Sequence, residues 1–206
     1  MIHNIIFDLA GVVMNLNLER DTKALNDAGL PDFNGCLADE AIRTPCLAYL
    51  NGLMPKGEFF NAIRPLCKAG VTDDEIDWAM NAVLDDIPLS RIRMIRELRK
   101  SYRTFLLTNI YVDAWEHAKG EIERKGFTLD ECFDRLFLSY EMQLAKPDAR
   151  IFQAVLDATG AKAEETAFFD DSRENIESAK RMGFDAHLVP MNNVEKTVNE
   201  VFMTTF

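Results

Sequence analysis

"IIFDLAGVV", residues 5–13, is apolar from end to end except for one carboxylate, Asp8, which is followed by Ala10 and Gly11. An apolar run this short and continuous reads as a strand buried on both faces, the kind that lies inside a parallel sheet. Working outward, four more runs have the same character: "TFLLTN" at 104–109, "RLFLS" at 135–139, "TAFFDD" at 166–171 and "DAHLV" at 185–189. Amphipathic segments separate them. Strands alternating with helices predict an α/β fold, a Rossmann-like doubly wound parallel sheet covered on both faces.

The helices have legible ends. Ser90 is placed to cap one that runs to about Lys100, Ser172 one that stops at Gly183, and Asp148–Thr159 is closed by Gly160. Pro190 precedes a last helix in "NNVEKTVNEVF". Residues 15–86 break the alternation: "LERDTKALNDAGL", "ADEAIRTPCLAYLNG", "GEFFNAIRPLCKAG" and "TDDEIDWAMNAVLDDI" read as four helices with no strand between them. Thr72 and Glu75 make a capping box for the fourth, and Pro65 ends or kinks the third. The expected division is an α/β core of residues 1–14 and 87–206, with a helical block, 15–86, inserted after the first strand and "IPLS" at 87–90 as the return hinge.

A chain of 206 residues that is 48% hydrophobic and 28% charged can bury a sizeable core. Its net charge of -11 opposes a nucleic-acid partner. In the one basic stretch, "RIRMIRELRK" at 91–100, Ile92, Ile95 and Leu98 recur at helical spacing, so it reads as a helix with a solvated basic face. Cys36, Cys46, Cys67 and Cys132 stand singly, without the spacing of a zinc site or the density of a disulfide scaffold, and read as small buried side chains. No apolar run approaches the roughly 20 residues that span a bilayer, and no secretory leader is recognisable. The expectation is a cytoplasmic protein with no membrane partner; oligomeric state is not readable.

Asp8, the pair Thr108 and Asn109, and the pair Asp170 and Asp171 each stand where an apolar strand gives out. In an open parallel sheet the carboxyl ends of the strands form the crevice where ligands bind. A strand also commonly ends in Asp or Asn simply to begin a turn. Carboxylates that converge on one crevice repel one another unless a cation or proton is present, and a hard oxygen-liganded ion such as Mg2+ is the natural occupant. Lys146, in "AKPD", is biased to an extended conformation by Pro147; on position alone it reads as a solvated surface lysine, with the crevice within its reach.

In this order these residues resemble the four motifs of the haloacid dehalogenase-like (HAD) hydrolase superfamily: "FDLAGVV" with Asp8, "LLTN" with Thr108, "AKPD" with Lys146 and "FFDDSREN" with Asp170 and Asp171. Residues 15–86 resemble the helical cap that the family places just after its first motif. The resemblance implies covalent phosphoryl transfer with Asp8 as nucleophile. It implies Mg2+ held by Asp8, the backbone carbonyl of Ala10, Asp171 and Asp170. Thr108 and the amide of Asn109 would bind phosphate, and Lys146 would neutralise the nucleophile and the phosphoryl charge.

In the family's phosphatases the residue two beyond the nucleophile is a second Asp, the general acid for the leaving group. Here it is Ala10. General acid–base help is worth about 10²–10⁴ in rate. The leading expectation is a phosphatase of a small phosphorylated metabolite, a sugar phosphate first, similar to the "FDLG" branch that includes bacterial glucose-1-phosphate phosphatases. The alternatives are a protein that keeps the metal site for binding or regulation, and a 2-haloacid dehalogenase, whose metal-free site the doubled Asp170–Asp171 argues against.

Glu19 is a substitute acid by position alone, and Asp21, Arg43 and Arg64 are further residues of the helical block that a substrate would meet there. Phe59, Phe60 and Trp78 read as packing. His3, His117 and His187 carry no catalytic pattern, and no glycine-rich loop follows a strand, so no nucleotide cofactor is expected.

Overall fold

The computed structural model describes residues 1–203. Strands β1 (Asn4–Phe7), β2 (Arg103–Thr108), β3 (Arg135–Leu138), β4 (Thr166–Asp170) and β5 (Asp185–Leu188) form one sheet in the order β3-β2-β1-β4-β5, with every pairing parallel. Thr108 closes β2 and Asp170 closes β4. Asp8, Asn109 and Asp171 each lie one residue past a strand, where a side chain can turn into the crevice.

Between β1 and β2 run α1 (Leu18–Ala28), α2 (Phe33–Ala38), α3 (Glu40–Leu50), α4 (Lys56–Ile63), α5 (Asp73–Asn81) and α6 (Leu89–Leu98). After β2 come α7 (Val112–Arg124) and α8 (Leu129–Cys132), and after β3 come α9 (Ser139–Met142) and α10 (Ala149–Thr159). Next, α11 (Arg173–Arg181) links β4 to β5, and α12 (Val194–Phe202) follows β5. Among the described residues, no helix is long and apolar enough to cross a membrane.

Side-chain alternation sorts the core into two layers. Ile5, Phe7, Leu106, Leu138, Ala167 and Phe169 pack with α6, α7 and α12 on one face. Ile6, Phe105, Leu107, Phe137, Phe168 and Ala186 pack with α10 and α11 on the other. Each large side chain so buried contributes about 1.5–3 kcal/mol. A third apolar cluster, with Leu25, Ile42, Phe59, Ile63 and Ile76 at its centre, belongs to α1, α3, α4 and α5, and Tyr111 from the turn after β2 packs against it.

Two connections join the α1–α5 segment to the sheet, and they run side by side as an antiparallel ribbon. Asn15 N–H donates to Asp86 O (2.9 Å), Asp85 N–H to Asn15 O (2.9 Å) and Asn17 N–H to Val83 O (2.8 Å). Arg20 clamps the ribbon by donating to the carbonyls of Ala82 and Leu84.

Several helix ends follow from local chemistry. Asp148 accepts from Arg150 N, and Gly160 closes α10 at φ +64°. Ser172 accepts from Asn175 N, and Thr72 with Glu75 forms the capping box of α5. At Arg64–Leu66, α4 gives way to a 3-10 turn containing Pro65.

Other expectations need correction. Helix α6 begins at Leu89, so Ser90 lies inside the first turn and donates to Glu195 (3.1 Å) instead of capping, and half of "IPLS" is helix rather than hinge. The four helices read in 15–86 are α1, α3, α4 and α5. The extra one, α2, is six residues long, too short for an apolar period to register, and is started by Asp32 accepting from Gly35 N. Only Cys132 is buried; Cys36, Cys46 and Cys67 sit half-exposed at the rim of the helical cluster. Phe59 and Phe60 are core, but Trp78 is 55% exposed, because α5 turns Ile76 and Ala79 inward. In the basic stretch, Arg91 is buried.

Candidate active site

The end of β1 delivers Asp8 into the crevice while its backbone is still tied to the sheet: Asp8 N–H donates to Phe169 O (2.9 Å). One carboxylate oxygen, Oδ1, accepts from Leu9 N–H (2.7 Å) and lies 2.9 Å from Lys146 Nζ. Lys146 arrives from the start of α10, and Asn109 fixes it there. The Asn109 side chain donates to Lys146 O (2.8 Å) and accepts from Lys146 N–H (2.9 Å), so this amide grips the peptide of the lysine. The ammonium also donates to Leu107 O (2.9 Å) and Asp170 Oδ2 (2.6 Å), which gives each of its three protons an acceptor. Far from being solvated, the Lys146 side chain is 1% exposed.

Asp170, fully buried, is held by Ser172 N–H (2.8 Å) and by Asn175 Nδ2 (3.0 and 3.1 Å). The Asp171 carboxylate leans onto Gly11, which has φ +77°; a Cβ there would overlap Asp171 Oδ2, so the turn needs glycine twice over. Carboxylate oxygens of Asp8, Asp170 and Asp171 all lie within 4.8 Å of one another.

Three carboxylates against one ammonium make an acidic pocket that is short of positive charge. Burial pushes the Asp8 carboxyl up to about 7, opposed by Lys146 and reinforced by Asp170. Burial, with Asp170 adding to it, pushes Asp171 up to about 6. Burial alone would lower Lys146, but the charges of Asp170 and Asp8 outweigh it and hold the ammonium above its usual range. A divalent cation with oxygen ligands fits this donor set. At the end of β2, Thr108 Oγ1 is buried without a hydrogen-bond partner, an orphan that a phosphate oxygen would satisfy. Ala10 is half-buried beside these groups and offers no proton.

Sequence reasoning missed the residues that hold the turn after Asp8. Arg91 sends its guanidinium, 4% exposed, from α6 to Val12 O (2.9 Å), Val13 O (3.3 Å), Asn192 O and Glu195 (3.0 Å). Asn192, at φ +62°, donates its N–H to Gly11 O (2.7 Å), and its side chain brackets Leu16, accepting from N–H (2.8 Å) and donating to O (3.0 Å). Nothing sets Arg91 apart from its arginine neighbours in sequence. "MNN" after Pro190 was the available signal for a left-handed residue.

Other candidates lie apart. Glu19 is exposed on the first turn of α1, and Asp21 is buried, its carboxyl raised by burial and by Asp32. Arg64 is engaged within its own segment, with Val71 O (2.6 Å) and Asp73. His187 stacks on Phe169 and pairs with Asp185, while His3 and His117 are exposed.

A profile of the haloacid dehalogenase-like hydrolases matches residues 2–183. The chain is 31% identical over 188 residues to a D-ribitol-5-phosphate phosphatase of Bacteroides thetaiotaomicron, across 90% of each sequence. Its fold superposes on the crystal structure of a HAD family enzyme from B. thetaiotaomicron with a TM-score of 0.86, at 30% identity over 98% of both chains. It matches that enzyme's complex with magnesium and inorganic phosphate at 0.82, with 30% identity over 94% of this chain and 96% of the other. An aspartate-to-alanine variant of the same enzyme also holds magnesium and phosphate (TM-score 0.81, 31% identity, 94% and 96% covered). A predicted HAD-like family hydrolase from Porphyromonas gingivalis matches at 0.86, with 28% identity over the whole of both chains.

Proposed function

Because the chain belongs to the haloacid dehalogenase-like hydrolases, in their phosphatase branch, we propose that it is a magnesium-dependent phosphatase of a small sugar or polyol phosphate, acting through an aspartyl-phosphate on Asp8. The observation that carries the reading is the buried Lys146 ammonium, 2.9 Å from Asp8 and 2.6 Å from Asp170, at the foot of a carboxylate cluster. In this reading residues 15–86 are the cap that admits the ester.

Asp8 Oδ1 is occupied by Leu9 N–H and Lys146, which leaves Oδ2 to attack phosphorus. The phosphorus–oxygen bond to the alcohol breaks and its electron pair departs on the alcohol oxygen. Water then attacks the phosphorus of the acyl phosphate, freeing Asp8 and inorganic phosphate. Lys146 offsets the charge of Asp8 and of the phosphoryl oxygens, and Thr108 donates to one of those oxygens. Asp8, Asp171, the Ala10 carbonyl and the neighbouring Asp170 would hold magnesium, which supplies the positive charge that keeps Asp8 ionised and polarises the phosphoryl group.

With Ala10 in place of an acid, the departing alkoxide takes its proton from water or from a hydroxyl of the substrate itself, and sugars and polyols carry such hydroxyls. The aspartate-to-alanine variant of the relative supports the view that one aspartate is dispensable for holding metal and phosphate. The test is phosphate release from pentitol phosphates, sugar phosphates and p-nitrophenyl phosphate, with and without magnesium, using Asp8→Asn as the blank. Magnesium-dependent release that vanishes in Asp8→Asn is the expected result. Silence across the panel with magnesium still bound would replace this reading with that of a phosphate-binding protein.

A further inference from the structure

Three hydroxyls, with the Lys56–Asp113 ion pair (3.1 Å), join the α1–α5 segment to the turns that follow β2 and β3 and to the first turn of α7. Tyr111, three residues beyond Thr108, donates to Met80 O at the end of α5 (2.6 Å), and its ring stacks on Tyr49 of α3 with centroids 4.9 Å apart. Tyr49 in turn donates to Asp113 Oδ2 on α7 (2.6 Å). Ser139, wholly buried at the start of α9, accepts from Ile110 N–H (2.9 Å) and lies 2.8 Å from Leu50 O and 3.0 Å from Ile110 O. Beside it, Gly52 at φ +66° sits so close to Tyr140 O that a Cβ would overlap it.

A hydroxyl has one proton to give. Ser139 can donate to Leu50 O, across to the helical segment, or to Ile110 O on its own side. With the segment seated both acceptors are in reach, Leu50 O at the shorter distance. With the segment lifted the proton swings to Ile110 O, so no buried donor is stranded. Tyr111 has no such alternative: its acceptors, Met80 O and, at 3.4 Å, Asn81 Oδ1, both belong to the segment, and lifting breaks the bond to either. Ile110 and Tyr111 continue the chain directly from Thr108 and Asn109, so whatever fixes these two residues fixes the end of β2.

We propose that Tyr111 is a positioning residue that ties the seating of the α1–α5 segment to the turn carrying Thr108, with Ser139 holding that turn through Ile110 N–H, so that binding of phosphate and seating of the segment favour each other. This rests on the reading of the crevice as a phosphatase site. By linkage, an anion that orders the Thr108 turn must also hold the segment down, and the reverse. Sequence gave no signal for either residue, because a tyrosine before a helix and a serine after a strand are ordinary.

The test is amide hydrogen exchange over residues 80–84 and 109–112, in the native protein and in Tyr111→Phe, with and without inorganic phosphate plus magnesium. Tyr111→Phe keeps the ring and removes only the O–H, a change of about fivefold in a seating equilibrium. In the native protein, phosphate with magnesium is expected to slow exchange in both stretches. In Tyr111→Phe it should still slow 109–112 while losing most of its effect on 80–84. Equal protection of 80–84 in both proteins, or protection of 109–112 alone in the native one, overturns the coupling.

If phosphate protects neither stretch, the phosphatase reading fails, and the ligand-free comparison then decides. Exchange at 80–84 that rises about fivefold in Tyr111→Phe keeps the latch, and unchanged exchange removes it. Ser139→Ala, which takes the acceptor from Ile110 N–H, is expected to speed exchange at 109–112 with or without phosphate.

Discussion

A carboxyl group that ends a strand packed on both faces gives up its proton reluctantly, and the Lys146 ammonium offsets the burial of Asp8 only in part. Its native pKa near 7, against an ordinary value of 3.8, means that the folded chain holds this proton more tightly than the unfolded one. The proton's contribution to stability is therefore complete below about pH 4 and is lost as pH rises through about 7, with Asp171 losing its own near 6. In chelator, Asp8→Asn is expected to raise the melting temperature by several degrees at pH 8 and by clearly less at pH 5. Calorimetry at the two pH values checks this, and equal gains would refute it. Ala10→Asp belongs to the same scale. It is expected to speed phosphate release from a pentitol phosphate at least about tenfold, and to leave p-nitrophenyl phosphate within about twofold, because that leaving group needs little help from an acid. The convergence of Asp8, Asp170 and Asp171 was legible at this scale because they interrupt or end apolar runs. The grip of Asn109 on the Lys146 peptide was not, since a side chain's choice between ligand and backbone has no periodicity.

Among the elements, the turn after β1 is held from outside by two side chains. Arg91 and Asn192 together occupy the carbonyls of Gly11, Val12 and Val13 and both polar atoms of the Leu16 backbone, which fixes the chain from Asp8 to the ribbon leading into α1. Arg91→Met strands the carbonyls of Val12, Val13 and Asn192 and takes one donor from Glu195, which keeps Ser90. It is expected to cost about 3–5 kcal/mol in urea denaturation, and the loss should be accompanied by weaker magnesium binding in titration calorimetry, because Ala10 lies inside the held stretch. A stability loss with unchanged metal affinity would confine Arg91 to the fold. Strands and long helices were readable from period and caps, as with Ser172 and the Thr72–Glu75 box. Those signals are local. Ser90 has the composition of a cap, yet Pro88 starts the helix and Ser90 turns to Glu195, far along the chain.

For the molecule as a whole, alternation of strand and helix was enough to expect a parallel sheet with a helical insertion, but not the order β3-β2-β1-β4-β5, which depends on which crossovers pass which face. That order puts β1 at the centre, with Asn4 beside both Arg103 and Thr166. A ribosome therefore releases this central strand well before its two neighbours, while α1–α5, whose contacts are local, can pack in the interval. A nascent chain halted before β4 has no Asp170–Asp171 pair to assemble around, and it leaves the β4-facing edge of β1 without a partner, an apolar edge of the kind that aggregates or recruits a chaperone.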